Sequence, residues 1–120
     1  MSRLTTWRIV KSTRAKGTVK IGPCTVPAPF DGMGANDYPG RWNSRGVPMV
    51  YTAASQSLAA LEILVHVNDP VLLEQYYVAF PVEIDTADIG ELETLPTDWN
   101  ANPPLPASRN IGDDWIYHQQ

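Results

Sequence analysis

A long stretch rich in proline and glycine lies between Gly22 and Gly40, and it restricts the fold more than any other stretch. Between these two glycines lie Pro23, Pro27, Pro29, Pro39, Gly32 and Gly34. Proline fixes φ and lacks an N–H, whereas glycine adopts conformations that other residues avoid. We therefore expect a long loop here, and long ordered loops in a compact domain often serve a function.

Runs of β-branched and aromatic residues predict three strands, over residues 4–10, 47–53 and 76–84. Pro48 indicates that the second strand begins at that point or lies at the edge of a sheet. Residues 85–106 are predicted to be mostly loop, because they end in the proline-rich run Asn102-Pro-Pro-Leu-Pro106.

A helix is predicted over residues 58–67, with Ser55 or Ser57 as its N-cap. Asn68-Asp69-Pro70 ends this helix, because the residue before a proline avoids the helical region. Residues 71–75 are predicted to form one further helical turn, with Pro70 at its first position. A last helix is predicted over residues 107–120.

Composition limits the classes of function. The chain has 120 residues, the size of one domain, and a hydrophobic share of 43% argues against disorder. A net charge of −4 argues against binding nucleic acid or anionic membranes through bulk charge. A single cysteine, Cys24, excludes an internal disulfide and favours a reducing compartment. With no membrane-spanning run and no signal-peptide pattern, we expect a cytoplasmic protein.

Glu62 is the strongest candidate for a functional side chain. Its neighbours one helical turn away are Leu58, Val65 and His66. A carboxylate on an otherwise apolar face is unfavourable unless it is paired. A surface glutamate on an amphipathic helix is the simpler alternative, but the apolar residues around Glu62 leave little polar face elsewhere.

Four further side chains each allow two interpretations. Arg41, beside a glycine in a turn, could bind a phosphate or could stack on Trp42 at the surface. Tyr51 could belong to the core or could stack on a flat ring in a pocket. Arg8 could point into the same cleft or be an ordinary strand residue. His66 could act in catalysis, although a lone histidine at a helix end is more often structural.

Common cofactor and nucleophile motifs are missing from the sequence. Gly32-Met-Gly34 has no third glycine at the spacing of a dinucleotide-binding loop. No Ser-His-Asp order is evident, and Cys24 has no nearby histidine. One histidine beside one glutamate is too little for a metal site, so no metal is expected.

Three segments together resemble the RES domain family, which is named for an arginine, a glutamate and a serine. They are Gly40-Arg-Trp-Asn-Ser-Arg-Gly46, Pro48-Met-Val-Tyr-Thr-Ala53 and Leu58-Ala-Ala-Leu-Glu-Ile-Leu-Val-His66. Weaker likeness is found in Trp7-Arg-Ile9, Gly32-Met-Gly-Ala35 and Asp114-Trp115. The similarity covers nearly the whole chain, and residues 40–66 are its specific part.

The resemblance implies an α+β fold like that of the ADP-ribosyltransferases, with a split, mostly antiparallel sheet and a few helices. RES proteins are toxins of bacterial type II toxin–antitoxin pairs, and they consume NAD. Some degrade it, and others transfer ADP-ribose to a protein. The partner implied is an Xre-like DNA-binding antitoxin that shields the active site, and we expect a homodimer with no direct contact to nucleic acid.

The same resemblance assigns site residues. Arg41, Tyr51 and Glu62 are expected to be catalytic and to converge on one cleft. Arg41 would clamp the pyrophosphate of NAD, Tyr51 would stack on nicotinamide, and Glu62 would stabilise positive charge on the ribose. Asn43 and Arg8 are expected to help bind NAD.

The family serine has no counterpart here. In the family it follows the segment that corresponds to Trp115, and no serine follows Trp115 in this chain. Large apolar residues also crowd the last six positions, so we expect the single domain over residues 1–120 to be incomplete at its C-terminal end. One alternative is a catalytically impaired relative that binds the antitoxin. Another is a small structural domain, in which Arg41, Tyr51 and Glu62 lie on different surfaces.

Overall fold

The computed structural model describes residues 2–21 and 24–118. Over this part of the chain, helices accompany two antiparallel strand pairs, which confirms the predicted α+β fold. The chain divides into two compact units. The first comprises Met1–Phe30 and Tyr51–Gly90, and the second comprises Asp31–Val50 and Glu91–Gln120.

The main sheet of the first unit joins its two longest strands. Strand β1 (Arg3–Lys11) pairs antiparallel with β4 (Tyr77–Asp85), with Trp7 opposite Pro81. Both strands were predicted from their β-branched and aromatic residues, and both predictions are confirmed. An exposed ion pair between Arg3 and Glu83, 2.7 Å long, crosses this sheet. Exposed pairs of this kind contribute little to stability.

The prediction of one long loop over residues 22–40 is wrong in part for residues 24–40, while Gly22 and Pro23 lie outside the described residues. Strand β2 (Thr18–Ile21) pairs with β3 (Cys24–Pro27), a 3-10 turn follows at Ala28–Phe30, and helix α1 spans Met33–Asp37. Prolines are tolerated because Pro27 is the last residue of its strand and Pro29 lies in the 3-10 turn. Gly32, with φ +72°, makes the turn into α1 that other residues would resist.

Two helices of the first unit begin and end as the sequence predicts. Helix α2 (Gln56–Val67) starts at Ser55, whose Oγ accepts a hydrogen bond from the Leu58 N–H at 3.1 Å. It ends at Asn68, which has a left-handed conformation. Helix α3 (Pro70–Tyr76) has proline at its first position.

The predicted strand over residues 47–53 is wrong. Only Ala53 pairs with a strand, through two 2.8 Å backbone hydrogen bonds with Trp7. Pro48 has no N–H to offer a neighbouring strand, and the N–H of Met49 donates to the carbonyl of Gly32 instead. Because Pro48 lacks an N–H and the Met49 N–H is bonded to Gly32, residues 47–50 do not join a sheet.

The second unit is built around a turn and a helix. Helix α4 (Pro106–Tyr117) confirms the predicted last helix as far as Tyr117, while residues 119–120 lie outside the described part. The buried side chains of the second unit include Val47, Met49 and Ser108. No helix of the described residues is long and apolar enough to cross a membrane.

Candidate functional site

The first unit holds a cavity of about 240 Å³ between β1, the segment after Tyr51 and helix α2. Its polar lining is Arg8, Tyr51, Thr52, Glu62 and His66, and its apolar lining is Trp7, Ile9, Ala53, Ala59 and Ile63. Cavities of about 230 and 250 Å³ occur elsewhere in the molecule, so volume alone does not distinguish this one. Its distinguishing feature is the combination of a guanidinium, a carboxylate, a phenol ring and an imidazole.

Arg8 ties together three segments at the cavity. Its Nε donates to the carbonyl of Pro29 at 2.6 Å, and its Nη1 donates to the carbonyl of Tyr51 at 2.9 Å. The backbone pair between Trp7 and Ala53 lies on the same stretch of β1. Arg8 therefore fixes the backbone from which the Tyr51 side chain projects, and its direct contact with a ligand stays a prediction.

Helix α2 contributes Glu62 and His66 to the cavity from consecutive turns. Both side chains are exposed, and neither has a hydrogen bond or an ion pair within residues 2–21 and 24–118. The apolar face predicted around Glu62 does not bury its carboxylate. Leu61 and Val65 beside it are 56% and 73% exposed, so much of this helix faces outward. The Glu62 carboxylate is accordingly available to a ligand.

Arg41 lies in the second unit, and its side chain reaches the turn that contains Trp99 and Ala101. Its Nη1 donates to the carbonyls of Trp99 and Ala101, each at 2.7 Å. Nε and Nη2 have no partner among the described residues. The alternative that Arg41 serves to stack on Trp42 is not supported, because Trp42 stacks on Trp99 with ring centroids 6.4 Å apart.

Asn43 is 0% exposed and organises the same turn. Its Oδ1 accepts from the Gly40 N–H at 2.9 Å, while its Nδ2 donates to the carbonyls of Ala35 and Val47 at 2.7 and 3.0 Å. This burial gives no support to a direct contact between Asn43 and NAD. The side chain shapes the loop that carries Arg41.

The structure thus brings Tyr51, Glu62 and Arg8 to one cavity, together with His66. Arg41 and Asn43 belong to the other unit, and the convergence of Arg41 with the cavity stays a prediction. In the described ranges, no cluster of three or more His, Cys, Asp or Glu side chains could hold a metal ion. The residues of α4 that hold the Arg41 turn were not predicted, because they lie about 70 positions away along the chain and no local pattern marks them.

Comparison with known proteins finds similarity to one protein family. The model of the RES domain matches residues 5–120. A protein named Toxin Res from Photorhabdus laumondii is 43% identical over 92 residues, and another of that name from Yersinia enterocolitica is 39% identical over 89 residues. A protein of a Sphingobium species, named Prs ADP-ribosylating toxin, is 39% identical over 95 residues.

These three matches cover 72–76% of this chain but 58–59% of the relatives. The chain therefore spans about three fifths of the length of the curated relatives it matches.

Proposed function

This chain belongs to the RES domain family, and we propose that it is the NAD-consuming toxin of a bacterial toxin–antitoxin pair. The names of its relatives support a toxin, and the Sphingobium name supports ADP-ribosyl chemistry. The observation that carries the proposal is the cavity in which Tyr51, Glu62 and Arg8 meet.

The proposed reaction breaks the bond between nicotinamide and the ribose carbon. Nicotinamide leaves as a neutral molecule with both electrons of that bond, and the ribose carbon becomes positively charged. An oxygen nucleophile then bonds to that carbon: water or a protein hydroxyl releases its proton to solvent, whereas the anionic oxygen of phosphate has none to release. Water or phosphate as nucleophile gives NAD degradation, and a protein side chain gives ADP-ribosyl transfer.

Glu62 suits the step in which charge develops. A carboxylate beside the reacting carbon stabilises an oxocarbenium-like ribose and can accept a hydrogen bond from a ribose hydroxyl, as in glycoside hydrolysis. Because the Glu62 carboxylate has no hydrogen bond or ion pair with other described residues, it can turn to a bound ribose without breaking a native contact.

The size of the cavity fits one part of the substrate. Whole drug-sized ligands occupy roughly 300–1,000 Å³, so a cavity of about 240 Å³ suits the nicotinamide end rather than the entire dinucleotide. The ring of Tyr51 offers a face for stacking on nicotinamide. We assign the pyrophosphate to Arg41, whose Nε and Nη2 lack partners in the described part of the chain.

The test is nicotinamide release by the purified full-length protein. Incubation with NAD, alone, with phosphate, and with a bacterial lysate, should release nicotinamide in at least one condition. The other product, free ADP-ribose, its phosphorylated form or a modified protein, identifies the nucleophile. A protein that releases no nicotinamide in any of the three contradicts the proposed reaction.

We also propose an Xre-like antitoxin as the partner that shields the cavity. The exposed apolar side chains Leu61 and Val65 flank Glu62 on α2, and such residues are typical of a surface covered by another protein. This feature equally favours the second candidate, a catalytically impaired relative that retains only antitoxin binding. A protein that binds the antitoxin but releases no nicotinamide would support the catalytically impaired relative over the active toxin.

A further inference from the structure

Helix α4 holds the turn of residues 40–44 through hydrogen bonds to three backbone groups. Ser108 Oγ donates to the carbonyl of Arg41 at 2.8 Å, and Arg109 Nε donates to the carbonyl of Gly40 at 2.9 Å. Asp113 Oδ1 accepts from the N–H of Ser44 at 2.8 Å.

Packing supplements these hydrogen bonds. A Cβ at Gly112 of α4 would lie 1.6 Å from the carbonyl oxygen of Trp42, so helix and turn approach as closely as backbones allow. Ser108 is 1% exposed, and its hydroxyl bond to Arg41 is therefore shielded from water. The path of the turn is set by α4.

The far end of the Arg41 side chain is fixed as well. Both hydrogens of Nη1 are used by the carbonyls of Trp99 and Ala101. Those carbonyls belong to a turn that is itself hydrogen bonded, from the Trp99 N–H to Pro96 and from the Ala101 N–H to Asp98. The remaining donors are Nε–H and Nη2–H, which form one edge of the guanidinium and match two oxygens of a phosphate.

We propose that Ser108 and Asp113 are positioning residues that preorganise Arg41 as a side-on receptor for the pyrophosphate of the substrate. The inference rests on the proposed function, which assigns the pyrophosphate to Arg41. With its backbone held by α4 and its Nη1 held by residues 99–101, the guanidinium loses little freedom on binding an anion. Releasing the turn should therefore weaken pyrophosphate binding while leaving Glu62 and the chemistry of the ribose unaffected.

The experiment measures ADP-ribose binding by calorimetry on the full-length protein. ADP-ribose carries the pyrophosphate but lacks the bond that is cleaved, so turnover does not disturb the measurement. Asp113→Ala removes the acceptor for Ser44, whereas Asp113→Asn keeps an oxygen in the same place. We expect Asp113→Ala to weaken binding about five-fold and Asp113→Asn to stay within about two-fold of wild type.

Ser108→Ala provides a second, independent test, because it removes the donor to the Arg41 carbonyl with almost no change in volume. It too should weaken ADP-ribose binding about five-fold. In NAD turnover, both alanine variants should raise KM while kcat stays near that of wild type. The matched control is Asp69→Ala, which removes the N-cap of α3 in the first unit and lowers stability without touching the turn.

Arg41→Gln separates this inference from the proposed function. If Arg41→Gln weakens ADP-ribose binding but Ser108→Ala and Asp113→Ala do not, the positioning role is overturned and the pyrophosphate assignment stands. If Arg41→Gln binds as wild type, the assignment fails and the inference fails with it. Equal weakening by Asp113→Ala and Asp113→Asn would also overturn positioning, since the charge of Asp113 would then matter rather than its acceptor.

Discussion

At the scale of single residues, the carboxylate of Glu62 is the clearest difference between expectation and structure. The sequence placed it on an apolar helix face, where burial would make an unpaired charge unfavourable. The structure shows an exposed carboxylate at the wall of a cavity. An exposed carboxylate has little burial cost to offset, so it is the neighbouring Tyr51 and Arg8 that support a functional role for Glu62.

This placement makes Glu62→Gln an informative variant. Glutamine keeps the volume and one acceptor oxygen but loses the charge that stabilises a cationic ribose. We expect nicotinamide release to fall about 10²–10³-fold, the usual effect of removing one such electrostatic contact. The melting temperature should not change, because Glu62 has no hydrogen bond or ion pair to lose among the described residues.

The matched control is Glu74→Gln, another exposed helical glutamate of the same unit that lines a different cavity. Its nicotinamide release should equal that of wild type. Near wild-type release by Glu62→Gln would show that Glu62 is an ordinary surface residue.

At the scale of the helix, the start of α2 determines where Glu62 and His66 lie. The side chain of Ser55 caps this helix, whereas Ser57 lies inside it and its hydroxyl has no hydrogen bond among the described residues. We expect Ser55→Ala to lower the free energy of unfolding by about 1 kcal/mol. Ser57→Ala should leave it unchanged or slightly raised, because alanine has the higher helix propensity.

Urea unfolding of the two serine variants beside wild type measures this difference. Equal destabilisation by both substitutions would show that the helix does not begin at Ser55.

Substitution of two glycines by alanine tests the contact between α4 and the Arg41 turn. Gly112→Ala places a methyl group against the Trp42 carbonyl, and relief requires the helix or the turn to move. We expect a loss of more than about 3 kcal/mol, above the usual range for overpacking because both partners are backbone. Gly34→Ala, in α1, meets no atom within 4 Å and should stabilise by about 0.5–1 kcal/mol.

Thermal unfolding followed by circular dichroism measures the stability of both glycine variants beside wild type. A Gly112→Ala protein as stable as wild type would mean that α4 does not pack against this turn.

At the scale of the whole molecule, charge and family membership lead to a prediction in cells. A net charge of −4 gives no basis for binding DNA through bulk charge, so DNA contacts should belong to the antitoxin. We expect the full-length protein to arrest bacterial growth and lower cellular NAD when expressed without that partner. Both effects should disappear in Glu62→Gln and persist in Glu74→Gln.

Growth and total NAD are followed after induction, with and without the antitoxin. Arrest with an unchanged NAD level would contradict NAD consumption, although it would be consistent with a toxin of another kind.

The sequence by itself determined the elements whose signals are local. The cap at Ser55, the stop at Asn68-Asp69-Pro70 and the β-branched and aromatic runs of β1 and β4 depend on neighbours within a few residues, and the structure confirms the helix ends and both strands. The order of the RES motifs likewise identified the family. These features could be predicted because short-range sterics and hydrogen bonding decide them.

Only the tertiary structure decided which hydrogen-bond partners the backbone finds in the segments between the regular elements. Residues 47–50 looked like a strand, but the Met49 N–H is taken by Gly32. Arg41 looked like a free surface arginine or a ligand clamp, and its carbonyl is bonded to Ser108, 67 positions later. No local pattern encodes such partners, because they are chosen by which distant segments come together when the chain folds.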